Sequence, residues 1–358
     1  MRVTEPLALF DHHCHGVVRR DLDRAGFEAL LTEGGAAGRW GGSRFDTRVG
    51  LAVRRWCAPV LDLPPDVPAG EYLARRAELG YAEVTRRFLG AAVLSGLCVD
   101  TGYEPEPLTS PAELGAAAGA PAYRIGRLET IAEGVLAGTS AAGFAAGVAD
   151  RIAAVAPDVV GWKSIAAYRG GLALPGARPG AAEVTAAADR CLRGTGRIAD
   201  PVLHAYLVWT AVDTGLPVQF HTGFGDADLD LARADPLLLT DLLRALAPAG
   251  VPVLLLHTYP YHRQAGYLAL AYDPVFVDVG LAGHGAAGRT AEILAEVTEL
   301  APLTKLLYSS DAYALAEHHH LAALLYRDAL AAVLDGLPDA ERLAGLVADG
   351  TARRVYLP

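Results

Sequence analysis

The sequence has few residues of the kinds that disulfide frameworks, nucleic-acid binding and membrane insertion require. Its four cysteines are scattered over 358 residues with no CxxC pair, which argues against a disulfide framework and favours a reducing, cytoplasmic location. The net charge is -10 and no basic stripe is present, so nucleic acid is not an expected partner. No apolar run reaches the ~20 residues of a membrane span, and the first residues do not form a signal peptide. We therefore expect no membrane partner.

Lysine is also scarce. Of the 31 basic residues, only Lys163 and Lys305 are lysines, so arginine fills nearly every other basic position. An amine can lose its proton in a protein, whereas a guanidinium cannot. This contrast makes Lys163, which ends a short apolar run, a candidate for chemistry.

The sequence does contain short apolar runs, and 52% of its residues are hydrophobic. Eight runs are typical of strands buried on both faces, as in a parallel sheet. They cover residues 7–15, 91–103, 122–130, 159–169, 217–223, 251–260, 274–282 and 305–313.

Helical Ala/Leu-rich segments alternate with these runs, so the sequence predicts an α/β fold, a (β/α)8 TIM barrel formed as a single domain over residues 1–358. Residues 19–90 interrupt the alternation and are predicted to form a helical insertion after the first strand, packed over the barrel mouth. A doubly wound open sheet is the alternative, but the Gly-rich turn that usually follows its first strand is missing.

The first run ends in "FDHHCHG", which places three histidines close together. Side chains two residues apart on a strand share a face, so Asp11, His13 and His15 are predicted to point the same way. Two imidazoles on one face can bind one metal ion.

Other polar side chains end later runs and repeat the pattern of the first strand: Lys163, His221, His257 and Asp311. In a parallel barrel the carboxyl ends of the strands meet at one rim. A shared metal would also satisfy polar groups that are otherwise costly to bury. The sequence therefore predicts a metal site at this rim.

A second histidine cluster, "EHHH" at 317–320, opens a predicted helix. Consecutive residues spread around a helix, so we expect these side chains at the surface.

The combined motifs resemble the amidohydrolase superfamily of metal-dependent barrel enzymes, and in particular its second large branch. They are similar to the amidohydrolase domain found in FluG-type and nodulin-type proteins fused to glutamine-synthetase-like domains. The segments that carry the resemblance are "GWKSIAAYRGGL", "PVQFHTGFGDADLDL", "LLLHTYPYHRQAGYLA", "VFVDVGL" and "LLYSSDAY".

This resemblance implies a divalent metal, zinc first with manganese or iron as alternatives, bound by His13, His15, His221 and Asp311. His257 is implied to be either a ligand of a second metal or a catalytic base. In binuclear relatives a carboxylated lysine bridges two metals, and Lys163 is at the corresponding strand end. The number of ions, one or two, stays open.

The expected reaction is hydrolysis of a C–N bond, amide or amine-derived, in a small polar and anionic metabolite. A metal activates water for attack on a carbonyl, and Asp311 would act as general base and then general acid. Substrate-binding candidates lie on or just after three predicted strands: Arg127, Glu129, Tyr168, Arg169, His262 and Arg263.

Two other functions stay open at this point. A decarboxylase or hydratase of the same branch would use the same ligands without hydrolysis, and a non-catalytic metal-binding module would have no turnover. The expected partner is a small-molecule substrate, and a homodimer is one expected assembly because barrels of this kind often dimerise.

Overall fold

The protein is described by a computed structural model that covers residues 6–36 and 38–357. The predicted domain 1–358 and insertion 19–90 also include residues 1–5, 37 and 358, which lie outside the described residues.

The chain divides into two compact units. The N-terminal unit contains the described residues up to Tyr123, together with Val279–Glu296 and Leu307–Ala352. The central unit contains Arg124–Asp278, Val297–Leu306 and the described residues from Arg353 onwards.

Seven strands form a sheet in which hydrogen-bonded neighbours follow chain order, and every strand pair with a resolved register is parallel. The α/β class and seven of the predicted strands are thus confirmed, although each strand is shorter than its apolar run. The strands are β1 Leu9–Cys14, β2 Leu94–Asp100, β3 Ala122–Arg127, β4 Gly161–Ser164, β5 Val218–His221, β6 Val253–Leu256 and β7 Val275–Val277.

The eighth predicted strand, 305–313, is wrong as a regular strand. Within it only Leu306 forms an isolated parallel bridge, to Val277. Further along, Asp311 N–H donates to the His13 carbonyl oxygen at 3.0 Å. Asp311 has a φ of +48°, which is incompatible with an extended strand at that residue.

Two other predicted strands end early. β3 stops at Arg127 and helix α5 begins at Leu128, so Glu129 is helical. β4 stops at Ser164 and is followed by a short 3₁₀ turn, Ala166–Tyr168.

The described residues between β1 and β2 form three α-helices, α1 Arg24–Leu30, α2 Arg48–Ala52 and α3 Ala69–Ala92, with short 3₁₀ and π-helical segments between α1 and α3. The side chains of Asp23 and Thr47 accept hydrogen bonds from backbone N–H groups in the first turns of α1 and α2, which satisfies donors that a helix start leaves open. That these helices cover the mouth of a barrel stays a prediction.

The remaining helices mostly follow the strands, as the alternation predicts. They are α4 Pro111–Ala118, α5 Leu128–Leu136, α6 Ala141–Val155, α7 Ala181–Arg193, α8 Pro201–Val212, α9 Thr240–Leu246, α10 His262–Ala271, α11 Ala282–Gly285, α12 Thr290–Val297, α13 Ala316–Leu334, α14 Ala340–Gly345 and α15 Thr351–Tyr356. Within the described ranges, no helix has both the length and the apolar composition that a bilayer crossing demands.

The histidines of α13 are buried, which corrects the expectation that 317–320 is a surface segment. Glu317 is 0% exposed and its Oε1 accepts a hydrogen bond from Arg76 Nε of α3 at 2.8 Å. The His318 ring stacks on that of His284, with 4.4 Å between centroids. Tertiary partners far away in sequence therefore keep this helix start out of solvent.

Candidate metal centre

The histidine pair at the end of β1 meets Asp311 in the N-terminal unit. His13 Nε2 lies 3.2 Å and His15 Nε2 lies 3.7 Å from Asp311 Oδ1, and the two imidazole rings are 5.3 Å apart. All of β1 is buried. The end of β1 therefore brings the two imidazoles together, although the strand register is irregular between Asp11 and Cys14. The backbone hydrogen bond between His13 and Asp311 places a carboxylate beside them.

The tautomer of His15 follows from its second ring nitrogen. His15 Nδ1 lies 3.0 Å from the backbone carbonyl oxygen of Asp100, and because a carbonyl oxygen can only accept, we assign the proton to Nδ1. The lone pair of Nε2 then faces Asp311. Metal-bound histidines show this arrangement, in which the other ring nitrogen donates to a carbonyl or carboxylate.

Asp100 is a candidate that the sequence reasoning missed. It ends β2, is 1% exposed, and offers a carboxylate oxygen within 4.8 Å of ligand nitrogens of His13 and His15. A sequence signal existed, because "LCVD" is an apolar run that ends in a carboxylate, like the run that ends at Asp311.

Asp311 is the most accessible member of this group. Its side chain is 13% exposed, whereas that of His13 is 1% exposed. Its left-handed backbone is unusual for a residue other than glycine and costs about 1–3 kcal/mol, so the surroundings must hold it. A carboxylate that opens to solvent beside two imidazoles is placed to exchange protons with a small molecule.

Asp11, the predicted third member of the β1 face, lies deeper. It is 0% exposed. Its Oδ1 accepts from the backbone N–H groups of Ser310 at 2.9 Å and His13 at 3.4 Å, and its Oδ2 accepts from the Ser310 hydroxyl at 2.5 Å. Burial raises the pKa of Asp11 to about 7, although the bonds from Ser310 oppose this.

Asp11, Cys14 and His319 form a second group whose ligand atoms lie within 4.8 Å of one another. Burial raises the pKa of the Cys14 thiol well above its usual range. A metal binds the thiolate rather than the thiol, so this group suits a metal less well than the group of His13, His15 and Asp311.

In the central unit, His221 and His257 face each other. Their ring centroids are 4.6 Å apart, and the Tyr168 ring lies 4.6 Å from His221 on another side. His257 follows β6 with a φ of +68°. The structure thus brings together three of the predicted residues of this unit.

Lys163 lies on β4, is 2% exposed, and is in register with Arg127 on β3 and Gln219 on β5. An amine buried to this degree must be desolvated, which is the condition for lysine chemistry at neutral pH. Its role as a bridging or catalytic residue stays a prediction.

Glu129 fixes the backbone that follows Lys163. It is 0% exposed, and its Oε1 accepts from Ser164 Oγ at 2.7 Å and Ile165 N–H at 3.0 Å. His204 Nδ1 lies 3.2 Å from the same oxygen. Burial raises the pKa of Glu129, but the interactions with His204 and Ser164 outweigh burial and lower it overall. These contacts give Glu129 a structural role, and its predicted contact with substrate stays a prediction.

The other substrate-binding candidates are more dispersed. Arg127 is the last residue of β3, and Arg169 Nη2 lies 3.6 Å from Glu133 Oε1. His262 begins α10 and stacks on Tyr259 with 5.6 Å between centroids. Arg263 is about half exposed and forms two bonds with Glu299, at 2.9 and 3.1 Å. Their contacts with substrate stay predictions.

The donor set of the N-terminal unit fits a divalent transition metal. Imidazole nitrogens and a carboxylate oxygen are common ligands of zinc. The fixed tautomer of His15 leaves the correct nitrogen for coordination.

Comparisons with known proteins agree with this description. A family model described as amidohydrolase matches residues 132–357. The fluG protein of Emericella nidulans is 36% identical over 206 residues, which corresponds to 52% of this chain and 23% of that protein. The chain therefore spans less than a quarter of the length of this curated relative.

Solved structures extend the comparison to nearly the whole chain. A Lactobacillus casei protein, described as a candidate metal-dependent hydrolase, is 30% identical with a TM-score of 0.87, over 98% of this chain and 95% of that one. Uronate isomerases of Thermotoga maritima and Bacillus halodurans share the fold at 13% and 14% identity, with TM-scores of 0.61 and 0.63, over 98% of this chain and 95% and 93% of theirs. Because the family model matches more than half of the sequence, the chain belongs to the amidohydrolase family.

Proposed function

We propose that this protein is a metal-dependent hydrolase that cleaves a C–N bond, amide or amine-derived, in a small anionic metabolite. The observation that carries the proposal is the convergence of His13 Nε2 and His15 Nε2 on Asp311 Oδ1, at 3.2 and 3.7 Å. Membership of the amidohydrolase family supports the hydrolytic choice. The proposal retains the closed (β/α)8 barrel as its scaffold.

In this proposal His13, His15 and Asp311 hold a divalent ion, zinc first, with His221 as a further ligand. His257 is a ligand of a second ion or a base, and Lys163 is the bridge if two ions bind. When bound, the metal would lower the pKa of water and polarise a carbonyl group.

The chain's own residues supply proton transfer and orientation. Asp311 has the solvent-facing carboxylate, so it would accept the proton of the attacking water at a carboxylate oxygen and return it to the leaving nitrogen. The bond from His15 Nδ1 to the Asp100 carbonyl keeps the imidazole from rotating away. Arg127 and Arg169 are the arginines proposed to bind the substrate carboxylate, since a guanidinium can form paired bonds with it.

Metal analysis tests the ligand assignment. We expect His13→Ala to reduce bound zinc or manganese well below one ion per chain, whereas His320→Ala, a buried histidine of α13, should leave the metal content unchanged. Intact metal in folded His13→Ala protein would contradict the assignment. One ion per chain in fully active protein would exclude a Lys163 bridge.

Turnover assays test the reaction. The metal-loaded protein is screened on small carboxylates that contain amide or amine groups, with release of ammonia or amine and release of carbon dioxide measured in parallel. We expect nitrogen release that is lost with a chelator, restored by metal, and reduced at least ~100-fold in Asp311→Asn. Carbon dioxide without nitrogen release would favour the decarboxylase, and release of neither product would contradict C–N hydrolysis.

A further inference from the structure

Two residues of the proposed machinery have backbone conformations that proteins seldom use for residues other than glycine. Asp311 has a φ of +48°, and His257 has a φ of +68° and is followed by Thr258 at +56°. A left-handed conformation brings the Cβ atom of an L-residue close to the backbone, so it persists only where other contacts fix the chain.

A buried aspartate contacts each of these segments. In the central unit, Asp278 is 0% exposed, and its Oδ1 accepts the backbone N–H of His257 at 2.6 Å. The Asp278 backbone carbonyl accepts the Thr258 hydroxyl at 2.9 Å. Side chain and backbone of one residue thus hold both left-handed positions.

The N-terminal unit uses the same device next to Asp311. Asp11 accepts both the N–H and the hydroxyl of Ser310, and the Ser310 hydroxyl oxygen accepts the N–H of Ala312 at 3.0 Å. The chain is therefore bonded immediately before and immediately after Asp311. Asp11 also accepts the His13 N–H at 3.4 Å, which ties the metal ligand and the base to one carboxylate.

We infer that Asp11 and Asp278 are positioning residues, which aim Asp311 and His257 through the backbone and do not touch substrate. Both carboxylates are 0% exposed, so a small molecule cannot reach them. The hydrogen bonds described above go from backbone N–H groups and a serine hydroxyl to these carboxylates, and they orient the chain. Asp11 Oδ2 also lies 3.9 Å from His319 Nδ1, which is itself buried. Neither role follows from the sequence motif. The inference rests on the proposed function, in which Asp311 and His257 take part in turnover.

The test replaces the hydrogen-bonding groups and follows both catalysis and geometry. Ser310→Ala removes the hydroxyl bond to Asp11, and Asp278→Ala removes the acceptor for His257, whereas Asp278→Asn retains an acceptor oxygen. Ser95→Ala is the matched control, because the Ser95 hydroxyl also donates to an aspartate, Asp349, at 2.5 Å in the same unit as Ser310.

We expect Ser310→Ala and Asp278→Ala to lower kcat by about 10- to 100-fold, the range for groups that orient metal-site residues, with little change in KM. The visible absorption of the cobalt-substituted protein should shift in Ser310→Ala. Ser95→Ala should keep the wild-type kcat and spectrum, and Asp278→Asn should recover most of the activity lost in Asp278→Ala.

Wild-type kcat and spectrum in both Ser310→Ala and Asp278→Ala would overturn the inference and leave the proposed function intact. Failure of the wild-type protein to bind cobalt would instead contradict the proposed function. The inference would then be decided by crystal structures of the variants. A His257 that stays left-handed in Asp278→Ala would overturn it. If Asp278→Ala does not fold, a left-handed His257 in an Asp278→Asn protein that has lost the acceptor bond would overturn it.

Discussion

Arg76→Met should destabilise the N-terminal unit strongly, because it removes one partner of a fully buried ion pair. Arg76 and Glu317 side chains are 3% and 0% exposed. Glu317 Oε1 accepts both Arg76 Nε at 2.8 Å and the Tyr72 hydroxyl at 3.1 Å. Glu317 Oε2 is buried without a hydrogen-bond partner among the described residues. The variant would leave this carboxylate with one neutral donor.

Loss of one partner from a buried pair costs about 3–5 kcal/mol of unfolding free energy, because the remaining charge stays desolvated. Replacing both partners by apolar residues of similar volume, as in Arg76→Met/Glu317→Leu, should restore most of that loss. The exposed pair of Arg55 and Asp66 is the control, and Arg55→Met should cost no more than about 1 kcal/mol.

Urea unfolding of the wild type, Arg76→Met, Glu317→Leu and the double variant measures this cycle. Circular dichroism and tryptophan fluorescence should be followed together. A loss below about 1 kcal/mol in Arg76→Met would show that the carboxylate finds another donor, and would refute the reasoning. A double variant as unstable as Arg76→Met would show that lost packing, not the stranded charge, is the cause.

Two further predictions concern space and protonation. Gly225→Ala would place a Cβ atom 1.8 Å from the Tyr168 hydroxyl and 3.3 Å from His221 Nε2; we expect lower turnover in a folded protein, whereas Gly134→Ala, with open space around it, should be neutral. Acid should destabilise the fold below about pH 6.5, because burial lowers the pKa of four histidines in the folded protein and these histidines become protonated when the chain unfolds. For each extra proton that the unfolded chain binds, the free energy of unfolding falls by about 1.4 kcal/mol per unit decrease in pH. The raised pKa of Asp11 acts in the opposite direction, and pH-dependent urea unfolding should show the histidine effect to be larger. Stability that stays flat from pH 7 to 5 would contradict this. The histidines are His284, His318, His319 and His320.

The first strand shows what the sequence could predict. The spacing of His13 and His15 predicted that their imidazoles lie together, and their ring centroids are 5.3 Å apart, although His15 follows the last residue of β1 and the register of β1 is irregular between Asp11 and Cys14. The apolar runs likewise located seven strands, since burial on both faces requires them to be continuously apolar. Local rules are sufficient wherever the conformation is regular.

The sequence was a poorer guide where the conformation depends on distant partners. Nothing near "EHHH" indicates that Glu317 pairs with Arg76, 241 residues earlier in the chain, so the helix start appeared to be a surface segment. The backbone at Asp311 is irregular for a similar reason, because Asp11 and Ser310 form hydrogen bonds with the chain on both sides of it. The spacing of residues along the sequence does not indicate such contacts.

Asp100 and Asp278 show a signal that was present and not used. Both follow an apolar run directly, in "GLCVD" and "VFVD". Reasoning from metal ligands favoured histidines, although a buried carboxylate at a strand end also needs partners. A carboxylate that directly follows a buried strand is therefore a sequence signal for a site residue.

The hydrogen bond of His15 has a consequence for how this site can change by mutation. Its acceptor is the main-chain oxygen of residue 100, and every substitution at that position retains this oxygen. Replacement of the Asp100 side chain therefore leaves the hydrogen bond that orients the imidazole in place. Asp311 depends instead on two replaceable side chains, those of Asp11 and Ser310. Mutation of these two side chains can therefore change the orientation of Asp311 while the orientation of the His15 ring is retained.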